Sequence, residues 1–155
     1  MLKPVQKKKF TGRGASFVIV ASQYNARYVD AMVRAAKAEL ERAGAEVRQV
    51  VRVPGAFEIP VVAAKWARHA EPRVDGIICL GVILRGATTH AQHIGEAVSN
   101  ALGSIAVETG IPVIHEVLLL ENEQQAKERC LDREHNRGAE AAQTGLKMAR
   151  IMKSL

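Results

Sequence analysis

Apolar positions along the chain alternate between continuous runs and a helical repeat. Ser16–Ser22 (SFVIVAS) is almost unbroken apolar, which predicts a strand covered on both faces. From Arg27 to Ala43 the residues Val29, Met32, Val33, Ala36, Leu40 and Ala43 recur at helical spacing, and Gly44 supplies the stop. Glu46–Val53 reads as a second strand and Pro54-Gly55 as a turn. A helix follows from Glu58 to about His69, with Pro60 tolerated in its first turn. Val74–Leu84 is the strongest strand, and Arg85–His90 is a polar turn after it. Helical spacing returns over about Ala91–Thr109, with Ile94, Val98, Leu102 and Ile105 on one face and Gly110 at the end. Pro112–Leu120 is a fourth strand, followed by helices over about Glu123–Leu131 and Asn136–Met152.

Strand and helix alternating in this way predict βαβ units. The expected fold is a three-layer α/β/α sandwich around a four-stranded parallel sheet, flavodoxin-like, with right-handed crossovers. Ligands of such sheets bind beyond the carboxyl ends of the strands. Candidate functional residues are therefore sought just after residues 22, 53, 84 and 120.

Composition narrows the class. The chain has 155 residues, with 48% hydrophobic and 25% charged. That is enough for one packed domain and too apolar for disorder. No apolar run is long enough to span a bilayer, and the Lys-rich N-terminus lacks the apolar stretch of a secretory signal. Two cysteines, Cys79 and Cys130, form neither a disulfide framework nor a CxxC metal site, so a reducing cytoplasm is expected. The net charge of +6 sits mostly at one end. Lys3, Lys7, Lys8, Lys9 and Arg13 precede residue 15 with no acid among them, and the body is almost neutral. Residues 1–14 read as a basic arm and 15–155 as one domain. A nucleic-acid-binding domain spreads its cations along a face or helix, so no nucleic-acid partner is expected. No GxGxxG opens the first helix, and neither a GxxxxGK[ST] loop nor a GxSxG elbow is present.

Four segments at the strand ends carry chemistry. Tyr24 follows the first strand, either as a ring packed at the strand end or as a flat surface for stacking on a planar ligand. In Val53-Pro54-Gly55-Ala56-Phe57-Glu58-Ile59-Pro60 a glycine turn feeds a helix N-terminus. Glu58 there either accepts from ligand hydroxyls or only complements the helix dipole. In Leu80–His90 (LGVILRGATTH), Gly86, Thr88 and Thr89 precede another helix, a phosphate cradle without a Walker loop. His90 sits at that positive helix end, either as a proton acceptor or as a plain surface histidine at a helix start. Arg129 is either a solvated helix arginine or an anion's second contact, and His135, Asn136, Arg137, Gly138 and Glu140 lie beyond it.

VPGAFEIP at 53–60, LGVILRGATTH at 80–90 and NRGAEAA at 136–142, in this order and spacing, resemble the lumazine synthase (6,7-dimethyl-8-ribityllumazine synthase) family. The resemblance runs from about Phe17 to Leu155. It implies the condensation of 5-amino-6-(D-ribitylamino)uracil with 3,4-dihydroxy-2-butanone 4-phosphate in riboflavin biosynthesis, without metal or organic cofactor. It also implies roles by position. Tyr24 would stack on the pyrimidine. Ala56, Phe57 and Glu58 would hold the ribityl chain and ring edge, and Val82, Ile83 and Leu84 would line the pyrimidine slot. Ala87, Thr88 and Arg129 would hold the phosphate, and His90 would shuttle protons. Arg137 and Glu140 match a basic and an acidic position near the family's site.

His115 stands where an aromatic from the neighbouring subunit is frequent, Glu116 where glycine is common, and Thr89 where proline is frequent. The resemblance further implies a homo-oligomer, a pentamer with sites between subunits, in some members built into an icosahedral shell. Lys7–Arg13 would then add a strand to a neighbour's sheet. The competing reading is a non-catalytic homologue that binds a flavin or ribityl-pyrimidine, or forms a shell.

Overall fold

A computed structural model describes residues 1–6 and 9–155. The sheet order is β2-β1-β3-β4, and all three pairings are parallel, from β1 (Ser16–Ser22), β2 (Glu46–Val53), β3 (Gly76–Leu84) and β4 (Val113–Leu120). The helices are α1 (Ala26–Arg42), α2 (Ile59–His69), α3 (His90–Thr109), α4 (Glu123–Ala126) and α5 (Arg137–Lys153). This is the expected three-layer arrangement. β1 and β3, the central strands, are buried almost throughout, which is why they read as unbroken apolar runs.

Alternation along the strands divides the core in two. Phe17, Ile19 and Ala21 of β1 pack with Met32, Leu40, Ala142 and Leu146 of α1 and α5. Val18 and Val20 face the other way and join Ile59, Ala63, Val98 and Leu102 of α2 and α3. The α1/α5 contact is unusually close at Gly138. A Cβ there would lie 2.0 Å from the Met32 carbonyl oxygen, so only glycine lets the two backbones meet.

Three elements differ from their sequence readings. β3 begins at Gly76, not Val74. Asp75 is occupied in tying the strand start to β1, its carboxylate accepting from the Ser16 amide at 2.8 Å and its own amide donating to the Ser16 carbonyl at 2.8 Å. The helix read from Glu58 is preceded by a 3-10 turn over Ala56–Glu58. The helix read over Glu123–Leu131 is two pieces, α4 and a π turn over Lys127–Leu131. The Asn136 amide donates to the Cys130 carbonyl at 2.7 Å, and its Oδ1 accepts from the Gly138 amide at 2.8 Å. One side chain thus closes the π turn and caps α5.

Lys7 and Lys8, part of the stretch read as adding a strand to a neighbour, lie outside the described residues. Among the described residues of the arm none is in a strand. Val5 donates to the Glu134 carbonyl at 2.6 Å, and Phe10 packs half-buried on the α1/α5-side core. Among the described residues no helix is long and apolar enough to cross a membrane.

Candidate active site

The carboxyl ends of β1, β2 and β3 open into a pocket of about 950 Å³ on the α2/α3 face. Tyr24, Ala56, Phe57, Glu58, Val82, Ile83, Leu84, Thr88 and His90 all line it. Three of the four segments that sequence placed at strand ends therefore meet in one cavity.

Local backbone chemistry sets each wall. Gln23 and Tyr24 donate to the carbonyls of Val53 and Pro54 at 2.7 and 3.1 Å, which ties the end of β1 to the end of β2. Tyr24 nonetheless keeps 74% of its surface exposed, and Phe57 keeps 62%. Two aromatic surfaces are thus left open at the pocket mouth. Val82 and Ile83 form the floor as the nearly buried end of β3. The Glu58 carboxylate folds back onto its own turn and accepts from the Gly55 amide at 3.0 Å. It therefore caps its own turn while lining the cavity.

The polar rim is the N-terminus of α3. Thr89 precedes the helix without a side-chain cap, so the first amides of α3 are not closed off by their own N-cap. His90 donates its amide to Thr88 Oγ1 at 3.4 Å, and Thr89 Oγ1 meets His93 Nε2 at 3.3 Å. Arg85 is turned away, its Nε 3.0 Å from the Glu121 carboxylate, so it adds no cation to this rim. Ala87 lies in the exposed turn beside Thr88 and is not part of the lining.

Arg129 and His115 lie elsewhere in the chain. Arg129 projects from the π turn into a second cavity, about 690 Å³, formed by the arm and α5. Arg137, Glu140 and Lys147 share that cavity, and Arg137 forms an ion pair with Glu140. Glu116 lies in the field of the same pair. Burial, reinforced by Glu140 and opposed by Arg137, pushes its carboxyl up to about 7. His115 lies on β4, where its Nδ1 accepts from the Val117 amide at 3.1 Å and its Nε2 meets Ser99 Oγ at 2.7 Å. Accepting at Nδ1 places the proton on Nε2, and burial lowers this imidazole's pKa, favouring that neutral form. Burial raises both thiols, Cys130 to about 12, so neither cysteine is a thiolate near neutral pH.

The sequence profile of the 6,7-dimethyl-8-ribityllumazine synthase family matches residues 14–153. The chain belongs to this family. It is 39% identical over 145 residues to the 6,7-dimethyl-8-ribityllumazine synthases of two Nitratidesulfovibrio vulgaris strains, DP4 and Hildenborough, covering 92% of each chain. A de novo designed Rossmann fold protein aligns with a TM-score of 0.37 at 18% identity, over 73% of this chain and 90% of that one, and adds nothing to the topology. The lumazine synthase match contains every residue lining the pocket, and Arg129 and His115 as well.

Five lining residues were not singled out as site residues from sequence: Asn25, Ala91, His93, Ile94 and Ala97. The last three repeat at helical spacing after His90, so they share its face of α3 and were legible in principle. Asn25 carried no such signal.

Proposed function

We propose that the chain condenses 5-amino-6-(D-ribitylamino)uracil with 3,4-dihydroxy-2-butanone 4-phosphate to 6,7-dimethyl-8-ribityllumazine, acting in the cytoplasm. The supporting observation is the convergence of Tyr24, Ala56–Glu58, Val82–Leu84, Thr88 and His90 on one pocket in a chain of this family. The uracil ring lies between Tyr24 and the Val82–Leu84 end of β3, with its ribityl chain along Ala56, Phe57 and Glu58. The phosphate lies at Thr88, beside Ala87 and the α3 N-terminus.

The 5-amino group attacks the ketone and water leaves, giving an imine. Loss of a proton from the neighbouring carbon expels phosphate, and His90, at the pocket rim, is placed to accept that proton. The enol left behind tautomerises to a methyl ketone, the ribitylamino nitrogen attacks that new carbonyl, and a second water leaves. Most of the acceleration comes from holding two reactants in register.

Arg129 belongs to the phosphate site through a neighbouring copy. Within one chain Arg129 and Thr88 line different cavities, Arg129 projecting from the π turn into the one formed by the arm and α5. A homo-oligomer, pentameric as the family implies, brings Arg129 of one copy to Thr88 of the next. His115 reaches the ring by the same route, as does the arm (residues 1–14) if it extends a neighbour's sheet.

Mixing the protein with both substrates and following lumazine fluorescence and phosphate release together, against a protein-free blank, tests the reading. Protein-dependent formation of both products is expected. A folded, assembled protein that binds a ribityl-pyrimidine without accelerating either signal would overturn catalysis and leave the binding homologue.

A further inference from the structure

Among the described residues Asn25 is the one non-glycine residue with a left-handed backbone, at φ 57° and ψ 41°. Asparagine tolerates this region better than other side chains, though at some cost relative to glycine. The conformation turns the chain sharply out of β1. The Asn25 carbonyl already accepts from the amides of Tyr28 and Val29, at 3.0 and 3.2 Å, and so opens α1.

The side chain makes a long-range bond. The β1–β3 ladder ends at Ala21–Leu80, whereas β3 continues beside β4 to Leu84. The Val82 carbonyl lies beyond the last β1 partner. A carbonyl buried there without a donor would be destabilising. Asn25 Nδ2 supplies the donor at 2.7 Å, across 57 residues of sequence. The amide thus acts as one more rung of the ladder after the backbone has turned away.

This rung sits inside the pocket, which Asn25 also lines. Tyr24 is fixed to β2 through its amide and the Pro54 carbonyl, and the next residue is fixed to β3. The corner carrying one wall is therefore stitched to the strand carrying the other. Stacking needs a set gap between two surfaces, and rigid second contacts are what hold such a gap.

Resting on the reading of the pocket above, we propose that Asn25 is a positioning residue for the synthase reaction. Its amide bridge to the Val82 carbonyl sets the width of the slot between Tyr24 and Val82–Leu84, and so governs capture of the pyrimidine more than that of the phosphate ester. The bridge acts through Tyr24 and β3 and needs no contact with substrate.

Two variants separate the bridge from the backbone turn. Asn25→Gly keeps the left-handed turn and removes the bridge. Asn25→Asp keeps the shape and, ionised at pH 8, has no hydrogen to donate to Val82. Initial rates with each substrate varied in turn, together with thermal unfolding, are the measurements. Both variants should raise the KM for the ribitylaminouracil about tenfold while the KM for the ketone phosphate stays within about twofold. Asn25→Gly should unfold within a few degrees of the wild type, so it reports even if Asn25→Asp does not fold.

A pyrimidine KM unchanged in folded Asn25→Gly, or both KM values rising together, would overturn the proposal. Wild-type protein inert in turnover but binding the ribitylaminouracil in calorimetry would overturn the catalytic reading alone. The bridge is then read from affinity, about tenfold weaker in Asn25→Gly if it acts and equal if it does not. Wild-type protein that neither turns over nor binds overturns both.

Discussion

On the α2/α3 face the sheet ends in a pocket walled by Tyr24, Phe57, Val82, Ile83 and Leu84, with its polar groups confined to one rim. On the α1/α5 face the cavity is walled by Arg129, Arg137, Glu140, Lys147 and the basic arm. The first is suited to a flat, neutral ring, the second to charge. The reaction proposed here needs both, because one substrate is a heterocycle and the other a phosphate ester. The two faces are also built differently. The pocket face stands on interlocking aliphatic side chains, whereas the charged face depends on a backbone-to-backbone approach of α1 and α5. On the proposed reading, assembly of copies would bring the two surfaces together, and the parts for one reaction would be split across two faces of a single fold.

The largest effect expected from disturbing this division is on stability, at Gly138. Gly138→Ala places a methyl group 2.0 Å from the Met32 carbonyl oxygen and forces α1 and α5 apart. A loss of about 4 kcal/mol is expected, at the top of the range for overpacking because backbone and not a side chain must yield. Urea denaturation measures it. A loss below about 1 kcal/mol would mean that the two helices slide freely, and that the geometry holding Arg129 is softer than described.

Next in size is Arg129→Ala. Removing a guanidinium from a phosphate should lower kcat/KM about a hundredfold, near 3 kcal/mol, with the KM for the phosphate ester rising most. The sharper version mixes subunits. Arg129→Ala and His90→Ala chains, each impaired alone, should regain activity when co-assembled, because some interfaces then pair an intact Arg129 with an intact His90. No recovery in proven mixed oligomers would place both groups in one chain's site and abolish the split between the faces.

How much of this was readable in advance follows from the range of the interactions involved. The strands were legible because central parallel strands are covered on both faces, which leaves a continuous apolar signature. The pocket was legible because a parallel sheet forces successive strand ends to one side, so Tyr24, Ala56–Glu58 and Val82–His90 converge by topology alone. The π turn was not. Ala126 and Cys130, both buried four residues apart, look like ordinary helix, and the wider turn is completed by Asn136, which lies beyond it. The cavity into which Arg129 projects could not be read for the same reason. Nor could the Asn25 bridge, which links residues separated by α1, β2 and α2.

Glu116→Gln tests the charged face by pH. The Glu116 carboxyl titrates near 7 when folded and near 4.5 otherwise, chiefly because it is buried. Between those values the folded chain keeps a proton that the unfolded chain has lost. The group's stabilising contribution is therefore complete below pH 4.5 and is lost as the pH rises through 7. Glutamine carries no such dependence. At pH 8 the variant should be more stable than the wild type by roughly 2 kcal/mol, with the gap closing toward pH 4.5. A gap independent of pH would mean that Glu116 is ionised without cost, with Arg137 neutralising it more than Glu140 opposes it.

The smallest expected effect is on the other face, at Tyr24. Its ring is mostly exposed, so Tyr24→Ala removes little packing and should leave stability within about 0.5 kcal/mol. Loss of a stacking surface should raise the KM for the ribitylaminouracil roughly tenfold, about 1.4 kcal/mol, and leave the phosphate ester unaffected. Tyr24→Phe and Tyr24→Leu then separate the ring from mere bulk. Phenylalanine keeps the flat face and should restore binding, whereas leucine fills similar volume without it and should not. Equal rescue by leucine would make the wall simply hydrophobic. The contrast between the faces would then be one of polarity alone, and the spacing held by Asn25 would matter less than the apolar area that Tyr24 covers.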